Sequence, residues 1–128
     1  MNVSIEHGIQ GAARAVERKD AIIIVDTIRA STTYVNAFGS GVERIVPCSS
    51  REDLILRLEK YPNSVKSGER QCRKIEGYEY GSSPKEMSVT DLTGKTMLSS
   101  TTNGSRMVVA SNGSPCVVMG SFCNATAV

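Results

Sequence analysis

"AIIIVDTIRASTT", residues 21–33, joins a continuous apolar run to an acid, a base and a cluster of three successive hydroxyl residues, 31–33. Its first five residues are mostly β-branched, which is typical of a strand covered on both faces. The run stops at Asp26, Arg29 follows, and hydroxyl residues open a stretch that reads as a helix over 31–39. A covered strand that leads into a helix favours an α/β fold.

The same alternation continues along the chain. Apolar segments predict four more strands, at 43–47, 64–69, 95–101 and 116–120. Helical patterns occupy 8–18, 49–61 and 103–111, a helix start follows at 121–128, and residues 70–94 read as loop-rich. Ser49 and Glu52 have the spacing of a capping box. Strands alternating with short helices predict a single domain over residues 1–128, with three α/β/α layers and a mostly parallel sheet.

Composition restricts the function classes. The net charge is +2, Trp is absent and no basic run occurs, which argues against a nucleic-acid or membrane partner. No apolar stretch approaches the roughly 20 residues of a membrane helix, and the N-terminus does not resemble a signal peptide, so we expect a cytoplasmic protein. The four cysteines form no C-x-x-C pair and His7 is the only histidine, so free thiols are favoured over a zinc site.

Polar residues follow four of the predicted strands. In parallel sheets, ligands bind outside the carboxyl ends of the strands, which meet at one edge. The residues expected there are Asp26 and Arg29, Glu69 and Arg70, Thr101 to Asn103, and Ser121 with Asn124. The sequence therefore predicts one polar rim built from four clusters.

The mixture of charges at this rim fits an anion bound with a hard cation. Helix starts rich in hydroxyls favour phosphate or sulfonate, and Gly104 would let the backbone approach a ligand closely. Arginines at 29, 70 and 106 offer forked donors to anionic oxygens. Asp26 and Glu69 would repel an anion unless Mg²⁺ lies between them, since Mg²⁺ takes one or two carboxylates plus substrate oxygens.

Ordinary structural explanations exist for the same residues. Hydroxyl residues, Asn and Asp at helix starts are common N-caps, and Arg106 could be a solvated helix residue. The nucleotide motifs G-x-G-x-x-G and G-x-x-x-x-G-K-[ST] are absent, as is the G-x-S-x-G elbow. From the residues alone, the prediction is an α/β domain with an anion-binding rim.

Five blocks, in order, resemble motifs of the 2-phosphosulfolactate phosphatases. They are "VDTIRASTT" for D-V-L-R-A-T-T-T, "SGER" for G-E-R-G-G, "GYEYGSSPKE" for G-F-D-x-G-N-S-P-x-E, "STTNGSR" for T-T-N-G-T-R, and "GSFCNATAV" for G-S-x-x-N-x-x-A-V. The resemblance implies a Mg²⁺-dependent acid phosphatase that removes phosphate from 2-phosphosulfolactate, as in coenzyme M biosynthesis. This substrate carries a phosphate, a sulfonate and a carboxylate.

On this interpretation Asp26, Arg29, Glu69 and Arg70 form the catalytic set, and Asp26 and Glu69 hold Mg²⁺. Either Asp26 or a water molecule is the nucleophile. The expected substrate-binding residues are Ser31, Thr32, Thr101, Thr102, Asn103, Gly104, Ser105, Arg106, Ser121 and Asn124.

Several features depart from the family pattern. Ser82 replaces the Asn of G-N-S-P, and Gln71 and Cys72 replace the glycine pair after G-E-R. Family members are about twice as long, so the resemblance is to their first part. A non-catalytic phosphate- or sulfonate-binding domain and a truncated inactive relative therefore remain as alternatives. The apolar end of the chain, residues 116–128, would bury little alone, which predicts a homodimer.

Overall fold

Strands alternate with helices along the whole chain in a computed structural model that describes all 128 residues. The helices are α1 Gly8–Glu17, α2 Ala30–Gly39, α3 Arg51–Leu58, α4 Pro84–Ser88 and α5 Gly104–Ala110. The strands are β1 Ala21–Val25, β2 Arg44–Pro47, β3 Ser64–Arg70, β4 Arg73–Lys74, β5 Thr96–Ser100 and β6 Cys116–Gly120. A 3₁₀ turn, Phe122–Asn124, follows β6. None of the helices has the length and apolar character needed to cross a bilayer.

Pairing of the strands is mostly parallel, so the predicted α/β class is confirmed. β2, β5 and β3 lie side by side in that order and are parallel, and β4 pairs with β3 in the antiparallel sense. β1 pairs with β6 as a separate parallel ribbon, with Ile24 opposite Met119. The strands thus form two hydrogen-bonded groups, and the carboxyl ends of β2, β3 and β5 meet at one edge.

The core lies on both faces of β5. Successive residues of a strand point to opposite faces, and Met97 and Leu98 are both fully buried. Met97 packs with Tyr34 and other residues of one cluster, and Leu98 packs with Leu54 of α3 in the other. Burial of each such side chain stabilises the fold by about 1.5–3 kcal/mol. Burial of β5 on both faces therefore holds in place the turn that follows its carboxyl end.

The prediction that β1 is covered on both faces is wrong. Ile24 is 1% exposed, but Ile23 and Val25 are 56% and 69% exposed. Val118, the partner of Ile23 in β6, is 36% exposed on the same side. An apolar run predicts a strand that can be covered on both faces, but here the chain supplies a cover for one face only.

Two local predictions also differ from the structure. The N-cap of α3 is Ser50, whose hydroxyl accepts the Asp53 N–H at 3.1 Å, and not Ser49. Asp53 in turn accepts the Ser49 N–H at 2.8 Å, which shifts the capping arrangement by one residue from the predicted Ser49–Glu52 box. The stretch expected to be loop-rich contains β4 and the short helix α4, which Ser83 caps by accepting the Glu86 N–H.

Candidate active site

A polar cleft of about 160 Å³ lies at the carboxyl ends of β1, β3 and β5. We call it the rim cleft. It brings together residues from three of the four predicted clusters, together with five that were not predicted. Its walls are Asp26, Ile28, Arg29, Ala30, Glu69, Gln71, Cys72, Ser82, Thr101, Thr102 and Asn103.

Asp26 is fixed by the first turn of α2. Its Oδ1 accepts the Ala30 N–H at 3.3 Å, and its own N–H donates to Ser31 Oγ at 3.0 Å. Ser31 Oγ also donates to the Ile24 carbonyl, and Thr32 Oγ1 donates to the Thr27 carbonyl at 2.7 Å. The hydroxyls of Ser31 and Thr32 are therefore used within the turn, although neither is the N-cap of α2, and neither residue lines the rim cleft.

Gly104 allows α5 to begin directly against Asp26. A Cβ at Gly104 would overlap the methyl group of Ala30 and lie 2.8 Å from Asp26 Oδ2. Such distances are below any normal contact, so only glycine fits here without movement of β1 or α2. The prediction for Gly104 was a close approach to a ligand, whereas the structure shows a close approach to the protein's own carboxylate.

Glu69 joins two walls of the rim cleft. Its Oε1 accepts the Thr102 N–H at 2.7 Å, and its Oε2 accepts the Cys72 N–H at 2.9 Å. Burial acts to raise the pKa of Glu69, but the hydrogen bonds from Thr102 and Cys72 and the charge of Arg70 outweigh it and lower the pKa below its ordinary value. Glu69 is therefore held as a carboxylate.

The turn between β3 and β4 forms the outer wall. Gln71 and Cys72 have φ values of 52° and 64°, the left-handed region that favours glycine. Arg29 Nη2 donates to the Cys72 carbonyl at 3.3 Å, so Arg29 and Glu69 hold this turn from two sides. The glycine pair in the resembled motif was the signal that could have identified Gln71 and Cys72 as turn residues of the site.

Ser82 is a further cleft residue that sequence reasoning did not assign. It is 4% exposed, and its hydroxyl lies 3.5 Å from that of Thr33 in α2. The block "GYEYGSSPKE" was the available signal, because it places Ser82 where the family motif has Asn.

The remaining predicted residues lie outside the rim cleft. Arg70 bonds to Ser100 at the end of β5. Ser105 is fully buried, and its hydroxyl accepts the Thr101 N–H at 2.8 Å. Arg106 lines a neighbouring cleft with His7, and the two clefts share Thr102 and Asn103. Ser121 and Asn124 cap the final 3₁₀ turn in a capping box.

The cysteines do not form a redox or metal cluster. All four are free, and no group of three or more His, Cys, Asp or Glu side chains could hold a metal ion. Burial raises the pKa of Cys48 to about 11, so its thiol is unreactive at neutral pH. Cys72 is exposed at the wall of the rim cleft.

Comparison with known proteins gives a consistent result. The family described as 2-phosphosulpholactate phosphatase matches residues 9–128. The similar proteins include several named "Probable 2-phosphosulfolactate phosphatase". The protein of Clostridium acetobutylicum is 33% identical over 88% of this chain and 48% of its own length. The protein of Carboxydothermus hydrogenoformans is 35% identical over 84% of this chain and 44% of its own length. The protein of Synechocystis sp. is 33% identical over 82% of this chain and 44% of its own length. The chain spans about half the length of the curated relatives it matches.

Proposed function

The chain belongs to the 2-phosphosulpholactate phosphatase family, and we propose that it is a phosphatase acting on a small anionic phosphate ester such as 2-phosphosulfolactate. The observation that carries the proposal is the rim cleft itself. It places two carboxylates, of Asp26 and Glu69, beside the guanidinium of Arg29 and the polar turn after β5. The names of the relatives supply the reaction class and the substrate.

In this reaction the P–O bond of the ester breaks. Phosphorus gains an oxygen from water, and the leaving alkoxide gains a proton. Arg29 would bind phosphoryl oxygens through its forked donors, because it lines the cleft and only one of its N–H groups bonds to Cys72. Thr102 and Asn103 would orient the ester from the opposite wall. The attacking group would be either a water molecule or the Asp26 carboxylate, and in the second case water would then hydrolyse the aspartyl phosphate to release phosphate and restore Asp26.

Magnesium fits the donors of the rim cleft. Carboxylate oxygens from Asp26 and Glu69 are hard ligands, and two of them, completed by substrate and water oxygens, suit Mg²⁺. Asp26 Oδ2 accepts no hydrogen bond from the chain, and each Glu69 oxygen accepts only one. Bound Mg²⁺ would neutralise charge on the phosphoryl oxygens.

The partners of the proposed reaction follow from the substrate. Its sulfonate and carboxylate would occupy the side of the rim cleft toward Arg106, since the clefts meet at Thr102 and Asn103.

The pathway would be coenzyme M biosynthesis. We further propose a homodimer and a cytoplasmic location; the four free cysteines support a reducing compartment.

Phosphate release from 2-phosphosulfolactate, measured with Mg²⁺ and with chelator, tests the proposal. We expect turnover that requires Mg²⁺ and falls at least a hundredfold in Asp26→Asn. Glu43→Gln is the matched control, because Glu43 is exposed and precedes β2 at the opposite edge. Absence of turnover by the unmodified chain would refute the proposal that it is a phosphatase.

One alternative is a non-catalytic anion-binding domain, favoured by the half-length of the chain. It predicts binding of sulfolactate or phosphate by calorimetry with no release of phosphate from the ester. A truncated inactive relative would show neither binding nor release.

A further inference from the structure

Arg70 is bonded to the end of β5. Its Nη1 donates to the carbonyls of Glu69 and Ser100 at 2.7 and 3.0 Å, and its Nη2 donates to Ser100 Oγ at 2.9 Å. These three hydrogen bonds occupy both terminal nitrogens, and Arg70 is absent from the walls of the rim cleft. Three of the five guanidinium N–H groups of Arg70 are thus bonded within the protein's own chain.

Arg70 is partly buried, and the residue of β5 that it contacts is buried. Ser100 is fully buried. A Cβ at Gly68, two residues before Arg70 on the same face of β3, would overlap the Ser100 carbonyl oxygen and lie 3.1 Å from Tyr78 Cε2. The missing side chain of Gly68 lets the end of β5 lie close against β3. A ligand in the rim cleft therefore cannot reach the two acceptors that Ser100 offers to Arg70.

Ser100 leads directly into the turn that lines the rim cleft. Glu69, the neighbour of Arg70, accepts the Thr102 N–H at 2.7 Å. Side chains alternate across a strand, so Glu69 and Arg70 leave β3 on opposite faces. These two residues therefore hold the same turn at Ser100 and at Thr102.

We propose that Arg70 is a positioning residue for this turn, and that it acts on the substrate only through Ser100. It holds Thr102 and Asn103 at the wall of the rim cleft, in the orientation in which they bind the phosphate ester. The inference rests on the proposed function for its consequence in catalysis. Its structural part, the hold on the turn, can be measured without substrate.

A double-mutant cycle separates this role from direct contact with substrate. Arg70→Met should lower kcat/KM at least tenfold, and Ser100→Ala, which removes one of the three acceptors, about threefold. If Arg70 acts through Ser100, adding Ser100→Ala to Arg70→Met should change kcat/KM less than 1.5-fold. Arg70→Lys should recover part of the loss, and Arg73→Met, an exposed neighbour, should change nothing.

Amide hydrogen exchange supplies the readout that does not depend on activity. The Thr102 N–H should exchange at least fivefold faster in Arg70→Met than in the unmodified chain, and within twofold of it in Arg73→Met. Should Arg70→Met fail to fold, Arg70→Lys is measured in its place with the same expected direction.

Two results would overturn the inference. One is a full threefold further loss from Ser100→Ala in the Arg70→Met background, since independent effects multiply. The other is unchanged Thr102 exchange in folded Arg70 variants. If the unmodified chain releases no phosphate from any ester, the proposed function fails, while the exchange experiment still decides the role of Arg70.

Discussion

At the scale of single residues, the charged groups of the rim cleft bond to backbone and not to one another. Asp26 accepts an N–H from Ala30, Glu69 accepts two N–H groups, and Arg29 donates to a carbonyl. None of the five ion pairs in the chain involves these residues. Their positions are therefore fixed without a direct ion pair, which suits a site that binds a charged ligand.

Arg29→Ala should weaken substrate binding more than Arg106→Ala. Arg29 lines the rim cleft with both carboxylates, whereas Arg106 lies in the neighbouring cleft. Loss of a charge-assisted hydrogen bond costs about 1.5–3 kcal/mol, so we expect the Kd for substrate to rise at least tenfold in Arg29→Ala and less than threefold in Arg106→Ala. Calorimetry with a non-hydrolysed substrate analogue measures both. Equal, negligible effects would refute the assignment of the cleft.

Glu69 should make stability depend on pH. Its pKa is lowered in the folded chain, so the stabilisation is present above the ordinary carboxyl pKa of about 4.3 and is lost as pH falls through the folded value. Because Glu69 is partly exposed, we expect Glu69→Gln to cost about 1 kcal/mol at pH 7 and less at pH 3. Urea denaturation at both values measures this. Glu76→Gln, at an exposed position, is the control; a pH-independent loss in Glu69→Gln would contradict the prediction.

At the scale of elements, the β3–β4 turn carries two strained residues. A left-handed conformation costs a residue with a Cβ roughly 1–2 kcal/mol, part of which glycine returns through its greater freedom in the unfolded chain. The double change Gln71→Gly and Cys72→Gly should therefore raise the free energy of unfolding by about 1 kcal/mol. The paired change of both residues to Ala keeps the strain and should give no gain. Thermal or urea unfolding compares the three chains.

The contact between α2 and α5 depends on the missing side chain of Gly104. Gly104→Ala should destabilise the fold by about 1–3 kcal/mol, because its methyl group would overlap that of Ala30 and crowd Asp26. Adding Ala30→Gly should recover part of the loss. Gly39→Ala is the matched control, since nothing lies within 4 Å of its added Cβ. If Gly104→Ala unfolds at the same urea concentration as the unmodified chain, the helices are not held as described.

The elements show which parts of the site the sequence predicts. Carboxyl ends of parallel strands meet at one edge, so Asp26, Glu69 and Thr102 could be brought together from their positions alone. The same reasoning grouped Arg70 with Glu69, although alternation along β3 sends neighbouring side chains to opposite faces. Ser121 and Asn124 follow a strand too, but their side chains satisfy a capping box. The position of a residue after a strand does not reveal whether its hydroxyl group forms hydrogen bonds within the turn or remains available to a ligand.

At the scale of the whole molecule, one apolar sheet face has no cover. Ile23, Val25 and Val118 are exposed on the β1–β6 ribbon, and Phe122 is 89% exposed just beyond it. A monomeric protein rarely leaves such a group of apolar side chains together in water. The sequence predicted uncovered apolar residues at 116–128 but not the exposed face of β1, because an apolar strand reads the same whether its cover comes from its own chain or from another.

We expect a second copy of the chain to cover this face, giving a homodimer. A two-fold arrangement would place the ribbon of one protomer against that of its partner and bury both apolar faces. Light scattering at micromolar concentration should then give twice the 13.7 kDa chain mass. Ile23→Lys puts a charge in the middle of the face and should shift the mass to that of the monomer. Ile55→Lys is the control, because Ile55 is 50% exposed on α3, away from the ribbon, and should leave the dimer intact. A monomeric unmodified chain, or a dimer that Ile23→Lys does not dissociate, would contradict this interface.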